Sequence, residues 1–268
     1  MSNTEYKILK VNHREVSEQS DSAAIEEPLE ISIIYGKEQI KKVVSITMRT
    51  PGNDKELAAG FLFTEGIIKD TYAIENFSTG INTITVFIKP DSEINLKNSD
   101  RNFYMTSSCG VCGKSSIDSV KLNSNYKIEF SPLKIQKNTI LTLPETLRKN
   151  QNIFDMTGGL HASGLFDFSG NFITLKEDVG RHNALDKLAG FALQNDLIPL
   201  NNYILLLSGR TSFELIQKST MLGISVVCAV GAPSSLAIEL AQENKITLIG
   251  FLRENRFNIY TYPERIEL

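Results

Sequence analysis

Hydrophobic and polar positions divide the chain into a strand-rich first part and a second part in which strands and helices alternate. In the first part, residues 29–35 and 43–48 alternate between apolar and polar residues, which predicts a β-hairpin. A helix is expected to begin at Asn53 or Asp54, because apolar residues then recur at helical spacing. A further strand is expected at residues 81–88.

The segment before this hairpin is polar and mixed in charge. Residues 1–27 end in SEQSDSAAIEE, and such a composition buries too little apolar surface to fold alone. We therefore expect an extended arm that is partly disordered at its start. The pattern predicts a small β-rich domain at residues 28–130 and an α/β domain at residues 131–268.

In the second part, continuous apolar runs alternate with segments in which apolar residues recur at helical spacing. The runs are typical of strands that are buried on both faces, and strand–helix alternation predicts a parallel sheet covered by helices. The predicted elements are a helix at 141–150, a hairpin formed by 155–168 and 171–175, helices at 181–193, 213–222 and 231–241, and strands at 203–207, 224–230, 246–251 and 256–261.

Three strand-to-helix turns carry glycine and polar residues, at positions 178–183, 208–212 and 231–235. In a parallel sheet the carboxyl ends of the strands share one edge, where ligands bind. Free amides at the helix starts suit phosphate, and Arg181 and Arg210 add charged donors. The alternative is that these residues only cap helices. Together the three turns favour an anion-binding site.

Several single residues allow two interpretations. His182 is either an acid or base or a polar residue of a helix start, and His161 is either functional or an ordinary core histidine. Cys228 lies in an apolar strand and is expected to pack there. A stretch after the last parallel strand forms an anion clamp or simply an exposed edge; it contains Phe251, Leu252, Arg253, Glu254, Asn255 and Arg256.

The stretch TSSCGVCGKSS at residues 106–116 holds Cys109 and Cys112 in a C-x-x-C spacing. Its composition predicts a loop, in which glycines let backbone amides approach a thiolate. Three chemistries stay open: structural zinc, dithiol redox and sulfur carriage. A closed zinc site needs four ligands, and no other cysteine or histidine has partner spacing. Zinc shared across a dimer stays an alternative, but no metal site is expected within one chain.

Composition limits the partners and the compartment. The chain has 268 residues, 41% of them hydrophobic, and a formal net charge of -3, so general attraction to nucleic acid is not expected. Three cysteines without framework spacing indicate a reducing compartment. A polar N-terminus and the lack of a long apolar run indicate no signal peptide and no membrane span. We expect a cytoplasmic protein.

Six motifs occur together in this chain: RTPGNDKELAAGFLFTEGII, SSCGVCGK, FDMTGGLHASGLFD, EDVGRHNALDK, LLSGRTSFELIQK and GFLRENRFNIY. With these motifs in this order, the chain resembles the formate dehydrogenase accessory sulfurtransferases of the FdhD/NarQ family. The resemblance covers nearly everything after the N-terminal arm. It implies an α/β chain with a cytidine-deaminase-like three-layer core and a smaller N-terminal β-rich domain.

The resemblance also implies a function. Sulfur would pass from a cysteine desulfurase to the molybdenum cofactor, in its bis-molybdopterin guanine dinucleotide form, before that cofactor enters formate dehydrogenase. Cys109 would carry the persulfide and Cys112 would assist. The six residues from Phe251 to Arg256 would bind the cofactor. We add Arg181, His182 and Arg210 to this binding site because they lie in the polar turns at the sheet edge, and GDP is the expected mimic of the cofactor. A homodimer is the expected assembly.

Three rival functions differ in what they need. A zinc deaminase needs cysteine ligands at a helix start, and the helix starts after Gly180 and Gly209 have none. A non-catalytic cofactor chaperone would deliver sulfurated cofactor without Cys109. A dithiol oxidoreductase would form a reversible Cys109–Cys112 disulfide.

Overall fold

The computed structural model describes residues 2–96, 126, 128 and 134–268; Cys109 and Cys112 lie outside these ranges. The chain begins with two strands, β1 (Asn3–Val11) and β2 (Val16–Ala24), which pair antiparallel along their full length. The prediction of a partly disordered start is therefore wrong. Backbone pairing orders this polar segment although few of its side chains are shielded from solvent.

The strand-rich part forms a four-stranded sheet. Its elements are β3 (Glu27–Tyr35), β4 (Ile40–Arg49), α1 (Asp54–Thr64), β5 (Ile74–Gly80) and β6 (Thr83–Ile88), and the strand order is β4-β3-β6-β5. The predicted hairpin is β3–β4, and β6 contains most of the predicted strand at 81–88. The sequence pattern missed β5, a mostly exposed edge strand whose sequence IENFSTG is largely polar.

The second part is built on a six-stranded sheet. Its order is β13-β12-β11-β10-β8-β9, in which β9, β10, β11 and β12 run in one direction and β8 and β13 in the other. The elements are β7 (Ile135–Gln136), α2 (Lys137–Asn150), α3 (Asn152–Thr157), β8 (His161–Asp167), β9 (Phe172–Asp178), α4 (Arg181–Gln194), β10 (Tyr203–Leu207), α5 (Phe213–Met221), β11 (Val226–Ala229), α6 (Ser235–Glu243), β12 (Thr247–Arg253), β13 (Arg256–Thr261) and β14 (Ile266–Glu267).

The predicted strand at residues 155–168 is wrong in its first part. Residues 155–157 belong to α3, and β8 begins only at His161. The Glu177 carboxylate accepts hydrogen bonds from the backbone N–H groups of Ile153 and Phe154. These bonds satisfy donors that a helix start leaves free, so this contact from a distant strand stabilises the short helix.

Apolar side chains fill both faces of the six-stranded sheet. Leu205 and Leu207 belong to the core cluster under α1, α4 and α5, whereas Leu206 and Cys228 belong to the cluster under α2. Alternation along the strands produces the two clusters. Cys228 is fully buried, as expected, and its burial raises the pKa of its thiol. The mixed α/β architecture is confirmed; the deaminase-like three-layer core and the domain boundaries stay predictions.

Helices α1 and α4 join the two parts of the chain at a very close crossing. A Cβ atom at Gly60 would lie 1.8 Å from the Asp186 carbonyl oxygen, and one at Gly190 would lie 1.9 Å from the Glu56 carbonyl oxygen. Only glycine allows the backbones to approach this closely. The crossing therefore fixes α4, and with it one side of the sheet edge, relative to the four-stranded sheet.

Candidate functional site

The three polar turns meet at one edge of the six-stranded sheet. Backbone hydrogen bonds connect two of them directly: Gly231 donates to the Gly209 carbonyl at 3.0 Å, and Thr211 donates to the Ala232 carbonyl at 3.1 Å. The Phe251 N–H then donates to the Gly231 carbonyl at 3.0 Å. Since β9 to β12 are parallel, their carboxyl ends all lie at this edge. The second turn, the third turn and the β12–β13 connection thus form a continuous rim, and the first turn lies at the same edge on the far side of β8.

Asp178 fixes the first turn from inside the protein. One carboxylate oxygen accepts hydrogen bonds from the Gly180 N–H at 2.8 Å and the Asn183 side chain at 3.1 Å. The other accepts from the Thr50 N–H at 3.1 Å and lies 2.7 Å from the Lys187 ammonium. The buried ion pair and its hydrogen bonds hold the start of α4, which carries Arg181 at the rim.

His182 lies behind the rim. Its side chain is 8% exposed, and its Nε2 atom is 3.5 Å from the Ser212 hydroxyl. Burial and the charges of Lys218 and Arg181 lower the pKa of His182 to about 4. The imidazole is therefore neutral near pH 7. Burial favours a role in shaping the helix starts over direct contact with a ligand.

A buried lysine, Lys218, lies at the centre of a polar cluster beside His182. Lys218 donates to Thr64, Glu65 and Asp186 over 2.9 to 3.1 Å. Burial alone would lower the pKa of Lys218, but the carboxylates of Asp186 and Glu65 raise it above its usual value. The cluster connects α1, α4 and α5 and keeps a positive charge close to the His182 ring.

His161 is the first residue of β8. Because β8 runs antiparallel to β9 and β10, it begins at the edge where those strands end. A Cβ atom at Gly209 would lie 3.2 Å from the His161 Nδ1 atom, so the second turn packs against the ring. Burial and the Arg181 charge lower the pKa of His161, although Asp178 opposes them. A neutral imidazole here can donate one hydrogen bond and accept another.

A cavity of about 610 Å³ opens at the same edge, on the face that α2 and α3 cover. This volume is in the range of small-molecule sites, and mixed apolar and polar walls are typical of them. Among its lining residues, the sequence indicated His161 as a candidate and Ser208 as part of the second polar turn. The cavity is lined by Pro144, Leu147, Arg148, Gln151, Phe154, Gly158, Gly159, Leu160, His161, Ser208 and Val230.

The predicted cofactor-binding stretch forms the connection from β12 to β13. Phe251 has a φ of 53° and a side chain that is 41% exposed, so a strained backbone presents its ring at the surface. Leu252 points into the core and is fully buried. Arg253 donates to the Val230 carbonyl at 2.6 Å and pairs in register with Arg256, while Glu254 and Asn255 form an exposed turn.

The predicted site residues therefore differ in their surroundings. Arg210 is exposed at the rim, Arg181 is partly exposed, and His182 and Leu252 are buried. The two cysteines lie outside the described residues. Among the residues that the structure covers, no group of three or more histidine, cysteine or acidic side chains could hold a metal ion, and no helix could cross a membrane.

Comparisons with known proteins agree on one family. The model of the FdhD/NarQ family matches residues 24–267. "Sulfur carrier protein FdhD" of Streptomyces coelicolor is 44% identical over 273 residues, which cover 98% of this chain and 95% of the relative. The protein of the same name from Picrophilus torridus is 47% identical over 247 residues, 92% of each chain.

A solved structure has the same fold over its whole length. The crystal structure of a formate dehydrogenase accessory protein from Desulfotalea psychrophila superimposes with a TM-score of 0.77 and covers 100% of both chains. Its sequence is 23% identical to this one. The similarity supports the arrangement of strands and helices described above.

Proposed function

The chain belongs to the FdhD/NarQ family, and we propose that it is a sulfur carrier that serves formate dehydrogenase. It receives sulfur from a cysteine desulfurase and passes it to the molybdenum cofactor, in its bis-molybdopterin guanine dinucleotide form. The observation that carries this proposal is the identity of 44 to 47% over nearly the full chain to proteins named sulfur carriers.

Cys109 is the sulfur acceptor in this proposal. Its thiolate attacks the outer sulfur of the desulfurase persulfide, a new S–S bond forms on Cys109, and the desulfurase cysteine leaves as a thiolate. When the cofactor is bound, Cys112 attacks the inner sulfur of the Cys109 persulfide. A Cys109–Cys112 disulfide forms and hydrosulfide leaves, so the two cysteines supply both electrons and a thiol reductant restores them.

The cofactor binds at the carboxyl edge of the sheet in this proposal. Its guanine dinucleotide ends combine flat rings with diphosphate, and the edge offers both kinds of partner. The cavity has apolar walls for a ring, while Arg210, Arg181 and the free amides of the helix starts suit diphosphate. Phe251 presents an exposed ring beside them, and Arg253 and Arg256 add charge.

Intact mass after incubation with a cysteine desulfurase and cysteine tests the sulfur step. The expected result is a gain of one sulfur atom that a thiol reductant removes. Cys109→Ala should remove this gain, whereas Cys228→Ala should keep it because that thiol is buried in β11. A gain that survives Cys109→Ala would contradict the assignment of the acceptor.

The same experiment separates the two alternative functions. A non-catalytic cofactor chaperone gains no sulfur but still binds the cofactor. A dithiol oxidoreductase gains no sulfur and instead loses two hydrogen atoms when the Cys109–Cys112 disulfide forms.

A further inference from the structure

The helix that walls the cavity is attached through surface contacts, which include its packing against β1 and β2 of the N-terminal hairpin. None of the six residues of α3 is buried. Its ion pair between Arg148 and Asp155 joins side chains that are 51% and 52% exposed, and such surface pairs contribute little to stability. The Arg148 guanidinium also lies over the Phe154 ring, 4.6 Å from its centre.

Glu177 provides a stronger attachment. Its Oε2 atom accepts from the Ile153 N–H at 3.1 Å, and its Oε1 atom accepts from the Phe154 N–H at 2.9 Å. Both N–H groups are in the first turn, where a helix has no partners of its own. The residue before the helix, Gln151, makes no capping bond with its side chain. Hydrogen bonds from two amides to one carboxylate are of the strong, charge-assisted kind.

Glu177 and Asp178 are consecutive residues at the end of β9, so their side chains point to opposite faces of the sheet. Asp178 holds the start of α4 on one face. Glu177 holds the start of α3 on the other, where Phe154 and the following residues Gly158 and Gly159 line the cavity. Two consecutive residues therefore hold the helix starts on the two faces of the carboxyl edge.

We propose that Glu177 is a positioning residue: its carboxylate holds α3 so that Phe154 and the two glycines form a wall of the nucleotide pocket. The identity of the ligand rests on the proposed function, whereas the contact between Glu177 and α3 does not. Glu177 touches no ligand in this account. It acts through the backbone of α3.

Glu177→Gln tests the role while keeping the shape of the side chain. Glutamine offers one acceptor oxygen where glutamate offers two. One of the two hydrogen bonds from the α3 backbone is therefore lost, and the glutamine NH₂ group faces a backbone N–H group. Hydrogen exchange at residues 153–157 should accelerate by about tenfold or more, while exchange in β10 stays unchanged. Calorimetric titration should show that GDP binds about tenfold more weakly.

Asp155→Asn is the matched control, because it removes a carboxylate from the same helix without touching the bonds to Glu177. Its exposed pair with Arg148 predicts exchange rates and GDP affinity within about twofold of the wild type. Phe154→Ala is the second test variant, since it keeps the backbone donor but removes the ring from the wall. Phe154→Ala should bind GDP more weakly than the wild type, and this test remains usable if Glu177→Gln folds poorly.

Two results would overturn the proposal. One is exchange at residues 153–157 in Glu177→Gln that equals the wild type. The other is unchanged GDP affinity in both Glu177→Gln and Phe154→Ala. If wild-type protein binds no GDP, the proposed ligand is wrong, and the exchange comparison alone decides whether Glu177 positions α3.

Discussion

The two faces of the sheet edge are built in contrasting ways. On one face, α4 has eleven of its fourteen residues buried and crosses α1 through two glycines. On the other, α3 has six residues and none of them is buried. Residues at the end of β9 hold the starts of both helices, yet Asp178 belongs to a buried network with Lys187 while Glu177 is only partly buried.

This difference indicates how the molecule combines a fixed rim with an adjustable pocket. Many independent contacts determine the position of α4, so the arginine at its start is held in place. The contacts that position α3 bury none of its residues, and such segments open at low free-energy cost. In the proposed function a large cofactor enters and leaves the pocket, and a wall of this second kind would allow it to do so.

The strongest test of the fixed side is Gly60→Ala. A Cβ atom there would lie 1.8 Å from the Asp186 carbonyl, and backbone cannot move aside cheaply. We expect a loss of about 4 kcal/mol or more in the free energy of unfolding, measured by urea denaturation. Gly159→Ala is the control on the adjustable side. Its Cβ would meet only the Thr157 carbonyl at 3.8 Å, so the expected change is below about 1 kcal/mol. Equal losses would contradict the contrast.

The next largest effect is expected for Asp178→Asn. This change leaves the Lys187 ammonium buried without its charged partner, which typically costs about 3 to 5 kcal/mol. The exposed carboxylate of Asp155 on α3 provides the comparison, because its replacement by asparagine should cost less than about 1 kcal/mol. Chemical denaturation of both variants decides; a mild effect of Asp178→Asn would show that the buried pair is dispensable.

Acid should weaken the fixed side through His182. Its folded-state pKa of about 4 lies below the usual 6.5, so between these values the unfolded chain binds the proton and stability falls as pH falls. The linkage predicts a loss of roughly 2 kcal/mol from about pH 7 to about pH 5. His182→Gln cannot bind this proton, so its free energy of unfolding should fall by roughly 2 kcal/mol less than that of the wild type over the same pH range. Equal pH slopes for variant and wild type would contradict the burial of a neutral imidazole.

Much of this architecture followed from sequence pattern alone. The helix at α4 and the strands β10 and β13 were predictable because each has a clear apolar period or run. The meeting of the three polar turns was predictable because parallel strands end at one edge. These features depend on local sequence and on a general rule of sheet topology.

The missed features depend on contacts between distant residues. Helix α3 exists because Glu177 accepts from its first turn, and nothing in residues 152–157 records that partner. Leu147 and Phe154 line the cavity because of how α2 and α3 pack on the sheet. A local sequence signal for the cavity was the pair Gly158–Gly159 just before His161. The burial of Leu252 follows from the irregular pairing of β12 with β13, which periodicity does not show.

A smaller effect is expected for the rim itself. Arg210→Ala removes an exposed charged donor from the second turn, just before the start of α5. GDP affinity measured by calorimetry should fall about tenfold, because a hydrogen bond from a charged group to phosphate is lost. Arg14→Ala, in the loop of the N-terminal hairpin, is the control and should bind GDP like the wild type. Equal affinity of both variants would remove Arg210 from the site.

Formate oxidation in extracts of cells that lack their own accessory protein tests sulfur carriage most directly. Cells that carry Cys109→Ala should have no activity, since the sulfur acceptor is gone. Cys112→Ala should leave partial activity, because a free thiol in the extract can release the sulfur from the Cys109 persulfide more slowly. Cys228→Ala should leave nearly full activity, because the Cys228 thiol is buried in the sheet. Full activity with Cys109→Ala would contradict the account.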